Sequence, residues 1–296
     1  MTAARRVHLR EVGPRDGLQA EAPVPVDARV ELVDALAATG LTEIEAGSFV
    51  SPKAVPSMAA TADVFARIDR RPGVAYVALV PNRRGAELAV DAGADGLTVT
   101  VSASAAYSEK NVHMSIEESV AAAGEIRAVA GDLPIDAVIS CAFGSPYEGD
   151  IAPAAVHAIA ERLRALGADR ITLADTTGMA TPPRIAAVLA LTGTDVGLHL
   201  HETRGTALVN AYAAVQAGVT RFDTALGGTG GSPFAAGAAG NLATEDLVYL
   251  LDELGVATGV DLDRLLDVAA TLPSLLGHSV PSRVAAAGPR LRPAPA

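Results

Sequence analysis

The chain is expected to fold as an α/β protein, a (β/α)8 TIM barrel with additional C-terminal helices, and three observations lead there. Short β-type runs alternate eight times with amphipathic helical runs over about 250 residues. No linker-like stretch separates one unit from the next. Hydrophobic residues make up 50% of the chain and aromatics only 3%, so small aliphatic side chains and glycine let helices lie close on a sheet. A doubly wound open sheet is the alternative. It would carry a Gly-rich dinucleotide turn after its first strand, where this chain has Gly13-Pro14-Arg15-Asp16-Gly17.

The elements follow in order. The first strand, 7–12, breaks at Gly13-Pro14 and delivers Arg15, Asp16 and Gln19 onto the next turn. Taken alone, Arg15 and Asp16 read as a surface ion pair. Asp27 can cap the first helix, whose Val30, Val33 and Ala37 recur at helical spacing until Gly40 ends it. The second strand, 42–46, presents Glu45 and leads to Ser48; the third, 74–80, offers only Asn82. The fourth, 96–101, runs through a Ser/Ala-rich loop to Lys110 and Asn111. The fifth, 135–140, ends at Ser140, and the sixth, 170–174, delivers Asp175 and Thr176. The seventh, 196–201, carries His199 and His201, followed by Glu202. The eighth, 221–225, opens into a glycine-rich loop, 227–233, and a turn to Asn241. Thr244-Glu245-Asp246 starts the last barrel helix with a cap and two acids at the positive end of its dipole. Further helices at about 261–271 and 273–287 exceed what a barrel requires. They cover its base or form a dimer contact. Residues 1–287 are expected to form one domain, and 288–296, with three prolines, a disordered tail.

Bulk properties exclude several classes. A formal net charge of −11 argues against nucleic-acid and membrane-surface partners. Cys141 is the only cysteine, which rules out an intramolecular disulfide and a Cys-rich zinc site and suits a reducing, cytoplasmic setting. No signal peptide is expected, and no run of about 18 apolar residues could span a membrane. The loop at 227–233 lacks the Gly-Lys-Ser/Thr ending of a phosphate-binding loop, so no nucleotide cofactor is expected. That loop is a lid, a backbone nest for phosphate or a long connection.

In a barrel every strand ends on one face, so the polar residues collected above share a mouth. His199-Leu200-His201 is the most specific local signal, because residues two apart in a strand face the same way. The pair is either two buried histidines or half of a metal site. With Asp16 and Asn241 at the same barrel end, the mixed N/O donor set favours a divalent ion. Lys110 is placed to meet a phosphate or carboxylate, or stands as a solvated charge. Cys141 reads as a packed small residue rather than a nucleophile.

Several motifs run along the chain: E-V-G-P-R-D-G-L-Q at 11–19, S-F-V-S-P-K at 48–53, K-N at 110–111 and S-I-E-E-S at 115–119. They continue with P-Y-E-G at 146–149, H-L-H-E-T at 199–203 and G-N-L-A-T-E-D-L-V-Y at 240–249. In these motifs the chain resembles the hydroxymethylglutaryl-CoA lyase family of metal-dependent TIM-barrel lyases. The resemblance implies that Asp16, His199, His201 and Asn241 bind a divalent cation, Mg²⁺ or Mn²⁺. It implies that Arg15 stabilises an enolate oxygen on a departing thioester and that Glu45 and Asp175 support proton transfer. Lys110 and Asn111 would hold the CoA portion of an acyl-CoA substrate, and Gln19 and Ser48 complete the substrate-facing set. The expected reaction cleaves a 3-hydroxy-3-methylglutaryl-CoA-like thioester to acetyl-CoA and an oxo acid, in a homodimer. The alternatives are an aldolase or Claisen-type enzyme on a non-CoA 2-oxo acid, and a metal- and CoA-binding paralogue without turnover.

Two positions depart from the family pattern. The family loop G-G-C-P-Y is here Gly230-Gly231-Ser232-Pro233-Phe234. A hydroxyl is a far weaker acid than a thiol with pKa about 8.5, so Ser232 cannot simply take over a closing protonation. After the histidines the family has Asp-Thr, an aromatic and Gly; this chain has Glu202-Thr203-Arg204-Gly205. Arg204 forms a local salt bridge with Glu202, stands as an exposed charge, or reads a carboxylate on a substrate related to hydroxymethylglutaryl-CoA.

Overall fold

A computed structural model describes residues 5–231 and 239–291. Eight strands close into a barrel in sequence order, every neighbouring pair parallel: β1 (His8–Glu11), β2 (Glu43–Ser48), β3 (Ala75–Leu79), β4 (Gly96–Ser102), β5 (Ile135–Ser140), β6 (Arg170–Ala174), β7 (Gly197–His199) and β8 (Arg221–Thr224). The helices are α1 (Val26–Ala37), α2 (Thr61–Arg67), α3 (Arg83–Asp91), α4 (Ala105–Val112), α5 (Ile116–Ala130), α6 (Pro153–Ala165), α7 (Pro182–Thr192), α8 (Ala207–Ala217) and α9 (Thr244–Glu253). Beyond them lie α10 (Leu262–Ala269), α11 (Leu272–Leu276) and α12 (Arg283–Ala287). All eight expected strands are present.

Strand alternation separates two environments. Leu9, Ile44, Leu97, Val99, Ile139, Ile171, Leu198 and Phe222 are fully buried in one core with the helices. Burying each such side chain contributes about 1.5–3 kcal/mol. The intervening residues face the barrel axis, and there the middle layer is charged rather than aliphatic. Arg10 grips Asp223 through Nε–Oδ1 (2.9 Å) and Nη2–Oδ2 (2.6 Å), and its Nη1 lies 3.2 Å from Asp136 Oδ2. Thr172 donates to Asp136 at 3.0 Å, and Glu43 below accepts from Arg170 Nη1 at 2.7 Å. Buried charges persist only when paired in this way.

Several local expectations are corrected. β7 stops at His199, and His201 forms an isolated bridge with Asn241. The chain around 241–243 wedges between the ends of β7 and β8, with Leu242 N donating to Leu200 O at 2.8 Å and Ala225 N to Leu242 O at 3.0 Å. Asp27 is not the cap of α1: Pro25, already extended, occupies that position, and Asp27 pairs with Arg67 at 2.5 Å. Thr244 is likewise inside α9, with Ala243 at the cap, and its hydroxyl donates to Glu11 Oε2 at 2.5 Å. Asn82, without a role in the sequence reading, caps α3 by accepting from Gly85 N at 3.0 Å. The run 273–287 breaks at Gly277, whose φ of 78° takes the left-handed turn that ends α11.

The C-terminal helices pack on their own barrel. α10 lies against α9 and α1, and Ala257 pairs with the chain entering β1. From that base the chain climbs to the mouth, where Ser282 N donates to Gly227 O at 3.1 Å. Among the described residues, no helix is long and apolar enough to cross a membrane.

Candidate metal and active site

The site begins with a π-helical turn, Gly13–Gly17, directly after β1. The N–H groups of Arg15, Asp16 and Gly17 all point to Val12 O, at 3.1, 2.7 and 3.3 Å. Such wide turns recur at functional sites because they re-aim consecutive side chains. Gly17 is required by close approach: a Cβ there would lie 2.3 Å from Thr229 Oγ1.

Arg15 and Asp16 do form an ion pair, with Nη1 2.5 Å from Oδ1, but it sits in the barrel mouth rather than on the surface. The same guanidinium donates through Nε to Glu45 Oε2 of β2. Burial alone would raise the pKa of Asp16, yet Arg15, the two histidines and a 2.7 Å bond from Asn241 Nδ2 outweigh it and hold the carboxylate well below its usual range. Arg15 itself is pushed down by burial and more strongly up by Glu45 and Asp16, so it stays charged.

His199 and His201 meet with their Nε2 atoms 3.1 Å apart. His199 Nδ1 lies 3.2 Å from Asp223 Oδ2, and His201 Nδ1 3.2 Å from Ala239 O. Both acceptors call for a proton on Nδ1, which leaves the two Nε2 lone pairs facing each other. Burial, followed by the neighbouring His199, lowers His201 to about 4, so His201 is uncharged near neutrality. Asp16 Oδ2 lies 3.9 Å from His199 Nε2, and one ligand atom each from Asp16, His199 and His201 fits within 4.8 Å. Asn241 Oδ1 is buried without a hydrogen-bond partner among the described residues. Two imidazole lone pairs, a carboxylate and an orphaned amide oxygen fit a divalent cation.

Further buried polar atoms, on β2 and just beyond β6, are unpartnered. Glu45 Oε1, Ser48 Oγ and Asp175 Oδ2 are buried with no partner among the described residues, as expected of groups that a ligand completes. Asp175 Oδ1 accepts from Met179 N (2.7 Å) and Ala180 N (2.8 Å), but burial prevails and raises its pKa to about 7. Cys141 is buried and its thiol is pushed up by burial to about 12, in keeping with a packing role.

Other expected residues make no hydrogen bond to the cluster among the described residues. Gln19 is tied through its backbone carbonyl to Ser57 Oγ at 2.7 Å, and no hydrogen bond among the described residues brings its side chain to the histidines. Lys110 is exposed on α4 with Nζ 3.9 Å from the Tyr147 ring centre, and Asn111 is exposed beside it. Ser104, which caps α4, bonds Glu148, so the P-Y-E-G loop and α4 are held together. Arg204 is exposed and donates through Nη1 to Thr177 O and Gly178 O, both at 2.9 Å, rather than pairing with Glu202. Ser232 lies outside the described residues. Arg10 and Asp223 escaped the sequence reading, which gathered polar groups only at strand ends. Their signal was there in the alternation His8, Arg10 and Arg221, Asp223 along two strands.

Comparison with known proteins converges on one family. The model of the HMGL-like family matches residues 6–272. The chain is 42% identical to the mitochondrial hydroxymethylglutaryl-CoA lyase of Gallus gallus over 97% of its own length and 99% of that protein. It is also 42% identical to the 3-hydroxy-3-isohexenylglutaryl-CoA/hydroxymethylglutaryl-CoA lyase of Pseudomonas aeruginosa, over 97% and 98%. Among solved structures, an HMG-CoA lyase from Acinetobacter baumannii in complex with coenzyme A and 3-methylmalate superposes with a TM-score of 0.95 at 42% identity, over 100% of this chain and 99% of that one. The fold, the cluster at its mouth and these relatives together identify the chain as a member of the HMGL-like family, that of the hydroxymethylglutaryl-CoA lyases.

Proposed function

We propose that this protein is a carbon–carbon lyase that cleaves 3-hydroxy-3-methylglutaryl-CoA, or a close analogue, to acetyl-CoA and acetoacetate or the corresponding oxo acid. The observation that carries the reading is the meeting of Asp16, His199 and His201 with Arg15 in one barrel mouth. Asp16, His199, His201 and Asn241 would hold Mg²⁺ or Mn²⁺. When bound, such an ion supplies Lewis acidity that makes a substrate hydroxyl easier to deprotonate.

The remaining roles follow from the side chains. Asp175, with one buried oxygen unpartnered among the described residues and a pKa raised to about 7, takes the hydroxyl proton. The alkoxide electrons form the new carbonyl, the adjacent carbon–carbon bond breaks, and its electrons become the enolate of the thioester. Arg15, fixed between Glu45 and Asp16, stabilises the oxygen on which that charge develops. A proton delivered to the enolate carbon completes acetyl-CoA; Asp175, carrying the proton it removed, can return it. Lys110 and Tyr147, held beside the mouth by the bond between Ser104 and Glu148, would meet the CoA portion, with Asn111 next to them. Ser48 and Gln19 are proposed to face the acyl group.

Arg204 supports a substrate that is a relative of 3-hydroxy-3-methylglutaryl-CoA with an extra or differently placed carboxylate. Its Nη1 is anchored on two carbonyls, while Nε and Nη2 make no hydrogen bond among the described residues and suit a substrate carboxylate. We further read residues 1–287 as one catalytic domain, the assembly as a homodimer and the compartment as the cytoplasm. A panel of 3-hydroxy-dicarboxylyl-CoA thioesters and free 2-oxo acids, assayed with Mg²⁺ or Mn²⁺ and product identification, tests the reading. Acetyl-CoA release by the wild type and its loss in a folded Asp16→Ala variant are expected. Turnover of 2-oxo acids alone, or metal binding with no product, would overturn it.

A further inference from the structure

We infer that Arg10 and Asp223 act as a positioning clamp inside the barrel that sets the tautomer and the ring plane of His199. The inference rests on the metal reading given above. Arg10 holds both oxygens of Asp223, Nε to Oδ1 at 2.9 Å and Nη2 to Oδ2 at 2.6 Å. A two-point grip of this kind fixes the plane of the carboxylate and not only its charge. Asp223 Oδ2 then lies 3.2 Å from His199 Nδ1, where it accepts that nitrogen's proton. The opposite ring nitrogen is left as a lone pair, 3.1 Å from His201 Nε2 and 3.9 Å from Asp16 Oδ2. The clamp is itself braced. Arg10 Nη1 reaches Asp136 Oδ2 at 3.2 Å and Thr98 Oγ1 at 3.3 Å, and Asp136 is held by Thr172.

The location argues that this arrangement does more than fill space. The middle layer of such a barrel is ordinarily packed with branched aliphatic side chains, which need no desolvation of charge. Here an arginine 4% exposed and an aspartate 6% exposed occupy it. Buried ion pairs are often no more stabilising than a well-packed apolar layer. What this one supplies that an apolar layer cannot is a directed acceptor beneath one imidazole.

The test uses the full chain, with Mn²⁺ alone as the probe. In the metal-free wild type, ¹⁵N-resolved imidazole spectra are expected to show His199 protonated on Nδ1. In Asp223→Asn the amide turns its oxygen to Arg10 and its NH₂ to His199, so the ring must accept there and carry its proton on Nε2. Mn²⁺ affinity should fall about 10–100-fold with the fold intact by circular dichroism. Arg10→Lys keeps a charge but loses the two-point grip, and a smaller loss in the same direction is expected; it carries the test if the first variant does not fold. Asp136→Asn braces Arg10 less firmly but leaves Asp223 in place, and its Mn²⁺ affinity should stay at the wild-type level. An unchanged tautomer and unchanged affinity in Asp223→Asn would overturn the clamp, as would an equal loss in Asp136→Asn. A wild type that binds no Mn²⁺ would instead count against the metal site, and the tautomer measurement would still decide the clamp.

Discussion

Arg15 bridges two carboxylates with one guanidinium, and the two contacts have different consequences. The bond to Glu45 fixes the arginine's direction, while the contact with Asp16 places a positive charge beside a candidate metal ligand. Replacing Arg15 by Met should therefore lower kcat/KM by about 10²–10³, the usual cost of losing a fixed donor to a developing oxyanion. It should not weaken Mn²⁺ binding, because a competing cation has been removed from Asp16. Steady-state kinetics paired with a Mn²⁺ titration separate these effects, and a parallel loss of affinity would count against the division of roles. Asp16, His199, His201 and Asn241 were legible in the sequence because strand ends of a barrel share one face, so type and position sufficed. Arg10 and Asp223 were not, because a pattern-based reading assigns strand interiors to an apolar core.

At the level of elements, the turn after β1 and the turn after β8 are locked to each other by buried carboxyls. Glu11 accepts from Gly13 N (2.7 Å), Leu226 N (2.8 Å) and the Thr244 hydroxyl, and Glu245 accepts from Gly227 N at 3.0 Å. Burial outweighs these bonds and raises each to about 7. A raised carboxyl stabilises the fold in its protonated form: the contribution is complete below the unfolded value near 4.5 and is lost as pH rises through about 7. For Glu11 that loss is on the order of 3 kcal/mol. His201, lowered to about 4, works in the opposite sense between 4 and 6.5, so the useful quantity is a difference between proteins. Glu11→Gln keeps the acceptor for the two N–H groups and a donor for Thr244, and in urea melts without metal it should lose less stability than the wild type between pH 5 and pH 8. Equal slopes would show that Glu11 is not protonated in the folded state. Gly17→Ala tests the same junction sterically. With Thr229 Oγ1 only 2.3 Å from the new Cβ, the variant should be about 1–3 kcal/mol less stable by thermal melt. These junctions were half-legible: Gly-Pro and the acids after Thr244 marked the turns, but not that Thr244 bonds across to β1 and Glu245 to the turn after β8.

For the whole molecule, the eightfold alternation made the barrel readable from end to end, because each βα unit repeats the same local pattern. The path of the last helices was not readable, since an apolar helix face does not say which surface it covers. That path connects the base of the barrel to its mouth. Asp246 of α9 accepts from Ser282 Oγ (2.8 Å) and Val284 N (2.8 Å), Ser282 N donates to Gly227 O, and His278 Nε2 lies 2.9 Å from Glu21 Oε2 just beyond the π-helical turn. Gly227 begins the segment whose Thr229 carbonyl accepts from Asn241 Nδ2 at 2.9 Å, so the C-terminal segment supports a candidate metal ligand two contacts away. Truncation after Gly277 should therefore lower the melting temperature and weaken Mn²⁺ binding together, whereas a segment serving only to cover the barrel would change the first alone. Ser282→Ala, which removes one bond to Asp246 and the cap of α12, should show a smaller loss of both. In the wild type, Mn²⁺ at 100 times its Kd should add about 2.7 kcal/mol to stability. At that same Mn²⁺ concentration the increment should shrink in Ser282→Ala and shrink further in the truncated chain, in step with the affinities measured by titration. An undiminished increment in the truncated protein would show that Asn241 is placed by the barrel alone.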